Sequence, residues 1–283
     1  VAPLSPYSHC VKALFDIFSS TLYVWQPLRE SIPNNLNEIY QIHGWTETKR
    51  GRTPTLEEFI HYGKLRIHTS SYDDKNKSVQ EGAFEVRFES LIKGSRELTF
   101  NAHASNPTIE DLLDKKVIIE LDDLRNDDEK TLIFNFLMKK LFLYQQNRGH
   151  SFNKLRHLTV IEEAHRILQS RGLTHVNSRD AISNKAQETF SHILAEIRTY
   201  GEGFVIIDQK PKKLNDVVIT NTDFKICHKT VSRSQIHAFK DSLGLEDKHV
   251  SFISQLKQGE CVVKSNHVDT PFLVKMNLVK ADD

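Results

Sequence analysis

The chain has 283 residues, with 38 Lys and Arg against 37 Asp and Glu, a net charge of +1 with histidine neutral. A composition of 39% hydrophobic and 27% charged residues excludes a disordered or membrane-embedded chain, and the near-zero charge balance excludes a globally basic nucleic-acid binder while leaving room for a local basic groove. Three scattered cysteines (Cys10, Cys227, Cys261) and no CxxC pair exclude a disulfide framework and argue against structural zinc, as expected of reduced thiols in a cytoplasmic protein.

Taken in chain order, the first elements read as helices. Val11, Leu14, Phe15 and Phe18 recur at three-and-four spacing. A second helix starts after Pro27 and runs through Leu28, Ile32, Leu36, Ile39 and Tyr40 to about Gly44, with Pro33 kinking or splitting it. Thr53-Pro54-Thr55-Leu56-Glu57-Glu58 is a helix start, a Thr cap with carboxylates in the first turn. The polar tract 70–78 reads as a loop, and Glu81–Ile92 as a helix closed by Lys93-Gly94. From residue 117 short apolar runs alternate with helices. Strands are expected at Val117–Leu121, Leu158–Ile161, Gly203–Asp208, Phe224–His228, Gly259–Val263 and Phe272–Met276. Long helices are expected near Asp127–Gln146 and Ser183–Tyr200. Buried strands separated by helices predict a mostly parallel sheet, with the last two strands as an antiparallel hairpin or edge. No apolar run approaches the ~18 residues of a membrane span, and no charged-then-apolar leader opens the chain. The chain begins at Val1 without an initiator methionine and reads as a piece of something longer.

The run His157-Leu158-Thr159-Val160-Ile161-Glu162-Glu163-Ala164-His165 carries the most chemistry. A short apolar strand ends in two adjacent acids, as a nucleotide hydrolase requires. One acid at the strand's C-terminal end holds a water on Mg²⁺, and the next polarises the attacking water as a general base. Equally, Glu162 and Glu163 are acids that favour the start of the next helix. About forty residues on, Arg198-Thr199-Tyr200-Gly201 leads into a strand ending at Asp208-Gln209. In a parallel sheet Gln209 shares an edge with the Glu pair, where an amide can hydrogen-bond a terminal phosphate or orient water. An ordinary polar strand end reads the same way.

Together these runs resemble the HerA/FtsK group of hexameric DNA-translocating ATPases, the HerA branch most closely. The resemblance extends to the front end from Phe15 through Trp45 and to the tail at Phe224–Ser234, Gly259–Val263 and Pro271. It implies a P-loop NTPase α/β fold of the RecA/ASCE type, a mostly parallel sheet with helices on both faces. A helical insertion over residues 1–110 would precede the C-terminal part of the ATPase core over 111–283. It further implies ATP and Mg²⁺ as cofactors, Glu162 as the Mg²⁺-associated acid through water, Glu163 as catalytic base and Gln209 as sensor. Arg198 would be the arginine that reaches a neighbouring subunit's nucleotide, and the three residues Glu162, Glu163 and Gln209 would bind the cofactor.

The phosphate-cradling loop GxxxxGK[ST] does not occur in the 283 residues. In the family it lies upstream of the helical insertion, so truncation is the expectation: the fold is incomplete because the P-loop strand is missing, and this piece alone binds ATP poorly, hydrolyses almost none and has little independent stability. DNA would thread a pore. Arg171, Arg179 and Lys185 in one segment, and Lys212 and Lys213 in a stretch (208–240) of seven basic residues against three acids, are the candidate contacts; a solvated face reads the same way. The partners implied are DNA, further copies of the chain in a hexamer, and a nuclease or defence effector. The rival expectation is a non-catalytic oligomeric scaffold derived from this fold. The histidines His61, His68, His228 and His237 show no ligand spacing, which gives a metal-dependent nuclease no support. His165 is expected to be a helix-start contact.

Overall fold

The computed structural model describes residues 7–22, 24, 28–94, 97–103, 107–124, 127–152, 154–167, 190–214 and 216–277. It divides into two compact units, residues 1–158 with 172–203, and residues 159–171 with 204–283.

The first unit is mainly helical. It contains α1 (Tyr7–Thr21), α2 (Leu28–Ile42), α3 (Leu56–His68), α4 (Asp74–Phe88), the short α5 (Glu97–Phe100) and α6 (Ile109–Leu113), the long α7 (Asp127–Asn147) and α8 (190–197). The three-and-four spacing of α1 buries Val11, Leu14 and Phe18 against Leu28, Ile32, Leu36 and Ile39 of α2. Phe18, Phe59, Phe84 and Phe88 interlock at the centre, with centroids 4.7 Å apart for Phe84–Phe88 and an edge-on 5.2 Å for Phe18–Phe88. Pro33 does not split α2. It lies inside one continuous helix, and the burial of Ile32 and Leu36 on either side outweighs the single backbone bond a proline gives up. Thr55 caps α3 as read from the sequence, in a full capping box with Glu58.

The helix expected at Glu81–Ile92 instead begins at Asp74. Asp73 caps it by accepting from the Asn76 N–H, which converts most of the polar tract 70–78 into a solvent-facing first turn, and residues 89–92 tighten into a 3-10 turn. α7 joins the helical core through Ile17, Leu91 and Leu132 and a buried hydrogen bond from Asn135 Nδ2 to Thr21 Oγ1. The segment Val117–Leu121 forms no strand. Ile118 is 87% exposed, and an apolar run without a hydrogen-bonded neighbour has no ladder to enforce extended pairing. Of the helix expected over Ser183–Tyr200, residues 183–189 lie outside the described residues. The remainder is α8 followed by a 3-10 turn, Arg198–Tyr200.

The strands β1 (His157–Ile161) and β2 (Glu202–Ile206) form a two-stranded sheet. His157 N donates to Gly201 O at their N-terminal ends and Ile207 N to Ile161 O at their C-terminal ends, so they run parallel. The second unit also holds the 3-10 turn Pro211–Lys213, α9 (Asp216–Thr220), β3 (Phe224–His228), α10 (Arg233–Lys240), α11 (Asp247–Gln255), β4 (Glu260–Ser265) and β5 (Phe272–Lys275). The last three strands form an antiparallel sheet in the order β3-β4-β5, with Ile226 opposite Val263 and Cys261 opposite Val274. Val262 packs with Ile236, Leu243, Val250, Ile253 and Leu256, so α10 and α11 cover one face of that sheet. Among the described residues, no helix is long and apolar enough to cross a membrane.

Candidate functional site

β1 delivers the two acids. Ile161 is buried at its end, Glu162 is exposed, and Glu163 adopts a left-handed backbone with φ 49° and ψ 42°, uncommon for a residue with a side chain. That residue breaks the strand's alternation. Ala164 and His165 turn inward and start a 3-10 turn, Ala164–Arg166, while the Glu163 side chain stays 44% exposed. The backbone bond from Ala164 N to Ile207 O fastens this turn to the end of β2.

The chain beyond β2 carries Asp208 and Gln209. The Asp208 side chain is 3% exposed. Its Oδ2 accepts from His165 N at 2.5 Å and lies 3.1 Å from His165 Nδ1, while Oδ1 accepts from Lys210 N at 2.5 Å. His165 Nδ1 is also 3.4 Å from Glu163 Oε2, and its side chain is 8% exposed. Gln209 lies between Asp208 and Lys210, the residues joined by that last bond, and is exposed. The second unit thus brings Glu162, Glu163 and Gln209 to the same C-terminal edge of the parallel pair, joined by the backbone and Asp208 bonds. His165 is the turn-start contact expected from the sequence. In the sequence Asp208 is one acid among the ten charges of the stretch 208–240. Its only signal was position, an acid placed where an apolar parallel strand ends.

Arg198 belongs to the first unit, at the start of the 3-10 turn, and is exposed. The turn is fixed by other groups. Arg156 donates to the carbonyls of Gly149 at 2.8 Å, His150 at 3.0 Å and Tyr200 at 3.4 Å. Tyr200 packs edge-on against Phe142. Gly201 has φ 87°, and a Cβ there would lie 2.6 Å from Lys154 O. At the N-terminal ends of the strands, Glu202 is fully buried; it accepts from Gln145 Nε2 at 2.9 Å and pairs with His157 Nδ1 at 2.8 Å.

Lys212 is exposed in the 3-10 turn after Gln209, and its backbone N donates to Gln235 Oε1 on α10 at 3.1 Å; Lys213 is in the same turn. Arg171, Arg179 and Lys185 lie outside the described residues. Among the described residues, no group of three or more His, Cys, Asp and Glu forms a metal cage. One exposed carboxylate at a strand end, Glu162, fits Mg²⁺, which keeps several waters and takes one or two carboxylates alongside phosphate oxygens.

No protein-family model matches the chain. It is 24% identical over 243 residues to the DNA double-strand break repair helicase HerA of Sulfolobus acidocaldarius, covering 82% of this chain and 46% of that protein. It is 29% identical over 215 residues to the same-named helicase of Sulfurisphaera tokodaii, covering 75% of this chain and 41% of that one. The chain therefore spans less than half the length of these curated relatives. Among solved structures it is similar in fold to VirB4 of Thermoanaerobacter pseudethanolicus, with a TM-score of 0.66 and 14% identity over 95% of this chain and 69% of that one.

Proposed function

We infer that this HerA/FtsK-superfamily ATPase chain, an incomplete P-loop NTPase fold, contributes the hydrolytic edge of an ATP-driven DNA translocase or helicase. The observation that carries the reading is the juxtaposition, at one edge of a parallel strand pair, of the adjacent acids Glu162 and Glu163 with the exposed amide of Gln209. Ligands of open α/β sheets bind at that edge.

In this reading Glu163 takes the proton of the attacking water, its carboxylate being half-exposed and held outside the core by the left-handed turn. Gln209 hydrogen-bonds the terminal phosphate or the water and so reports nucleotide state. Glu162 holds the Mg²⁺ through water; when bound, the ion neutralises phosphate charge. Arg198 reaches a neighbouring subunit's nucleotide in a homo-hexamer, a contribution of about 10³–10⁵ in rate for such fingers. Residues 1–110 serve as the helical insertion and 111–283 as the C-terminal part of the core. The phosphate loop comes from sequence upstream, and this piece alone is inactive. Half-exposed Leu158 and Val160 on β1 are the kind of apolar side chains further core elements would cover. DNA is the partner, with Lys212 and Lys213, and Arg171, Arg179 and Lys185, as contacts to its phosphates. A nuclease or defence effector in the cytoplasm completes the setting.

Glu163→Gln in the full-length protein tests the reading. Turnover falls about 10²- to 10⁴-fold while ATP binding persists. Unchanged turnover would remove Glu163 from the chemistry. Ring assembly that ignores ATP, with no turnover in the wild type, would favour the oligomeric scaffold.

A further inference from the structure

We propose that His165 and Asp208 form a clasp that positions the catalytic base and the sensor together, so that neither Glu163 nor Gln209 is set independently. The inference rests on the ATPase reading above and adds two positioning residues to it.

The argument begins with the unusual backbone at Glu163. A left-handed conformation costs an L-residue about 1–2 kcal/mol and persists only where the surroundings impose it. The imposing groups are visible. Ala164 N is held by Ile207 O, and His165 N by Asp208 Oδ2, so the two residues after Glu163 are both fastened to the chain beyond β2. Asp208 uses its other oxygen to close a turn onto Lys210 N, and Gln209 is the residue spanned by that turn. One buried carboxylate therefore determines the backbone on both sides of the site.

The imidazole adds a direct link. With Asp208 Oδ2 at 3.1 Å as acceptor, Nδ1 carries the proton, and the same N–H faces Glu163 Oε2 at 3.4 Å. The ring is buried with Nδ1 between two carboxylates, one inside the fold and one at its surface. A shift of the chain at Gln209 on gain or loss of the terminal phosphate would move Asp208, and through His165 the Glu163 carboxylate. A base misplaced by about 1 Å loses on the order of 10²-fold in rate. His165 and Asp208 touch neither nucleotide nor water in this scheme. They act through Glu163 and Gln209.

The test separates this hydrogen bond from packing. In Asn the amide nitrogen occupies the place of imidazole Nδ1, whereas in Gln it lies where Nε2 would be, although Gln is nearer to His in volume. In the full-length protein, His165→Asn therefore retains kcat within about threefold of wild type. His165→Gln and His165→Ala lower kcat by about 10- to 100-fold with the KM for ATP unchanged. Asp208→Asn lowers kcat in the same way, because one amide oxygen cannot accept from His165 N, His165 Nδ1 and Lys210 N together. Unchanged ATP binding in each variant shows that the fold stands. If Gln preserves kcat and Asn does not, or if the losses appear in KM, the clasp is overturned. Glu163→Gln measured alongside keeps the two readings apart: an active Glu163→Gln refutes the base assignment, while an inactive one with equal Asn and Gln variants refutes the clasp alone.

Discussion

Replacing Gly201 by alanine tests how the arginine-bearing turn is built. Two separate penalties meet at this residue. Its φ of 87° lies in the left-handed half of conformational space, where a Cβ costs about 1–2 kcal/mol, offset by about 0.4–1 kcal/mol because alanine also loses less freedom on folding. The new Cβ would additionally stand 2.6 Å from Lys154 O, 2.8 Å from Ser151 Cβ and 3.0 Å from Arg156 Cγ. The first of these is backbone, which cannot swing aside, so the chain at Lys154 must move. Forced packing shifts cost about 1–3 kcal/mol, and here the shift also strains the bonds that Arg156 N and His157 N donate to Gly201 O at 2.7 and 3.3 Å. The sum is about 1–4.5 kcal/mol. Gly94 is the comparator within the same unit, with φ 67° and nothing within 4 Å of an added Cβ, so Gly94→Ala carries the backbone penalty alone, about 0–1.5 kcal/mol. Thermal unfolding of the purified full-length variants, at about 2–4 °C per kcal/mol, separates the two. A Gly201→Ala protein no less stable than Gly94→Ala would refute the claim that the approach of the Lys154 backbone demands glycine.

Two further outcomes follow from charged groups. Glu202→Ala deletes a fully buried carboxylate and leaves Gln145 Nε2 and His157 Nδ1 without their acceptor, at a cost of about 3–5 kcal/mol read by urea unfolding; Glu202→Gln, which keeps an acceptor, costs less. At Glu58, burial alone would raise the carboxyl pKa, but the Arg52 guanidinium and the Thr55 N–H bring it from 4.5 down to about 2. A folded value below the unfolded one stabilises the fold above the unfolded pKa and is lost as pH falls through the folded one. The helical unit therefore weakens between about pH 4.5 and 2, and Glu58→Gln flattens that part of a pH–stability curve measured by circular dichroism. A Glu58→Gln curve parallel to wild type would remove Glu58 from the acid response.

Much of the helical unit was legible because its signals are local. Thr55 and Glu58 cap a helix through bonds three residues apart, and the apolar spacing of α1 and α2 specifies a face wherever the partner lies. The misreadings arose where a local signal had a tertiary competitor. Pro33 sits inside one continuous helix whose neighbours Ile32 and Leu36 are buried, and Val117–Leu121 has a strand's composition but no ladder. Asp73 was legible as a cap in principle, yet the charge of the tract behind it read as loop.

At the site, sequence alone determined the residue types and their order: two acids at the end of an apolar strand, and an amide at the end of the next. That information is local to each strand, because strand length and hydrophobicity decide where the polar residues emerge. Only the tertiary structure decided that the two strand ends meet. Their parallel pairing is a matter of hydrogen bonds between residues about 45 positions apart, such as Ile207 N to Ile161 O. It likewise decided that the Asp208 side chain is buried. A carboxylate at that position could as well have faced water, and it is buried because the backbone N–H groups of His165 and Lys210 converge on it and supply the hydrogen bonds that water would otherwise give.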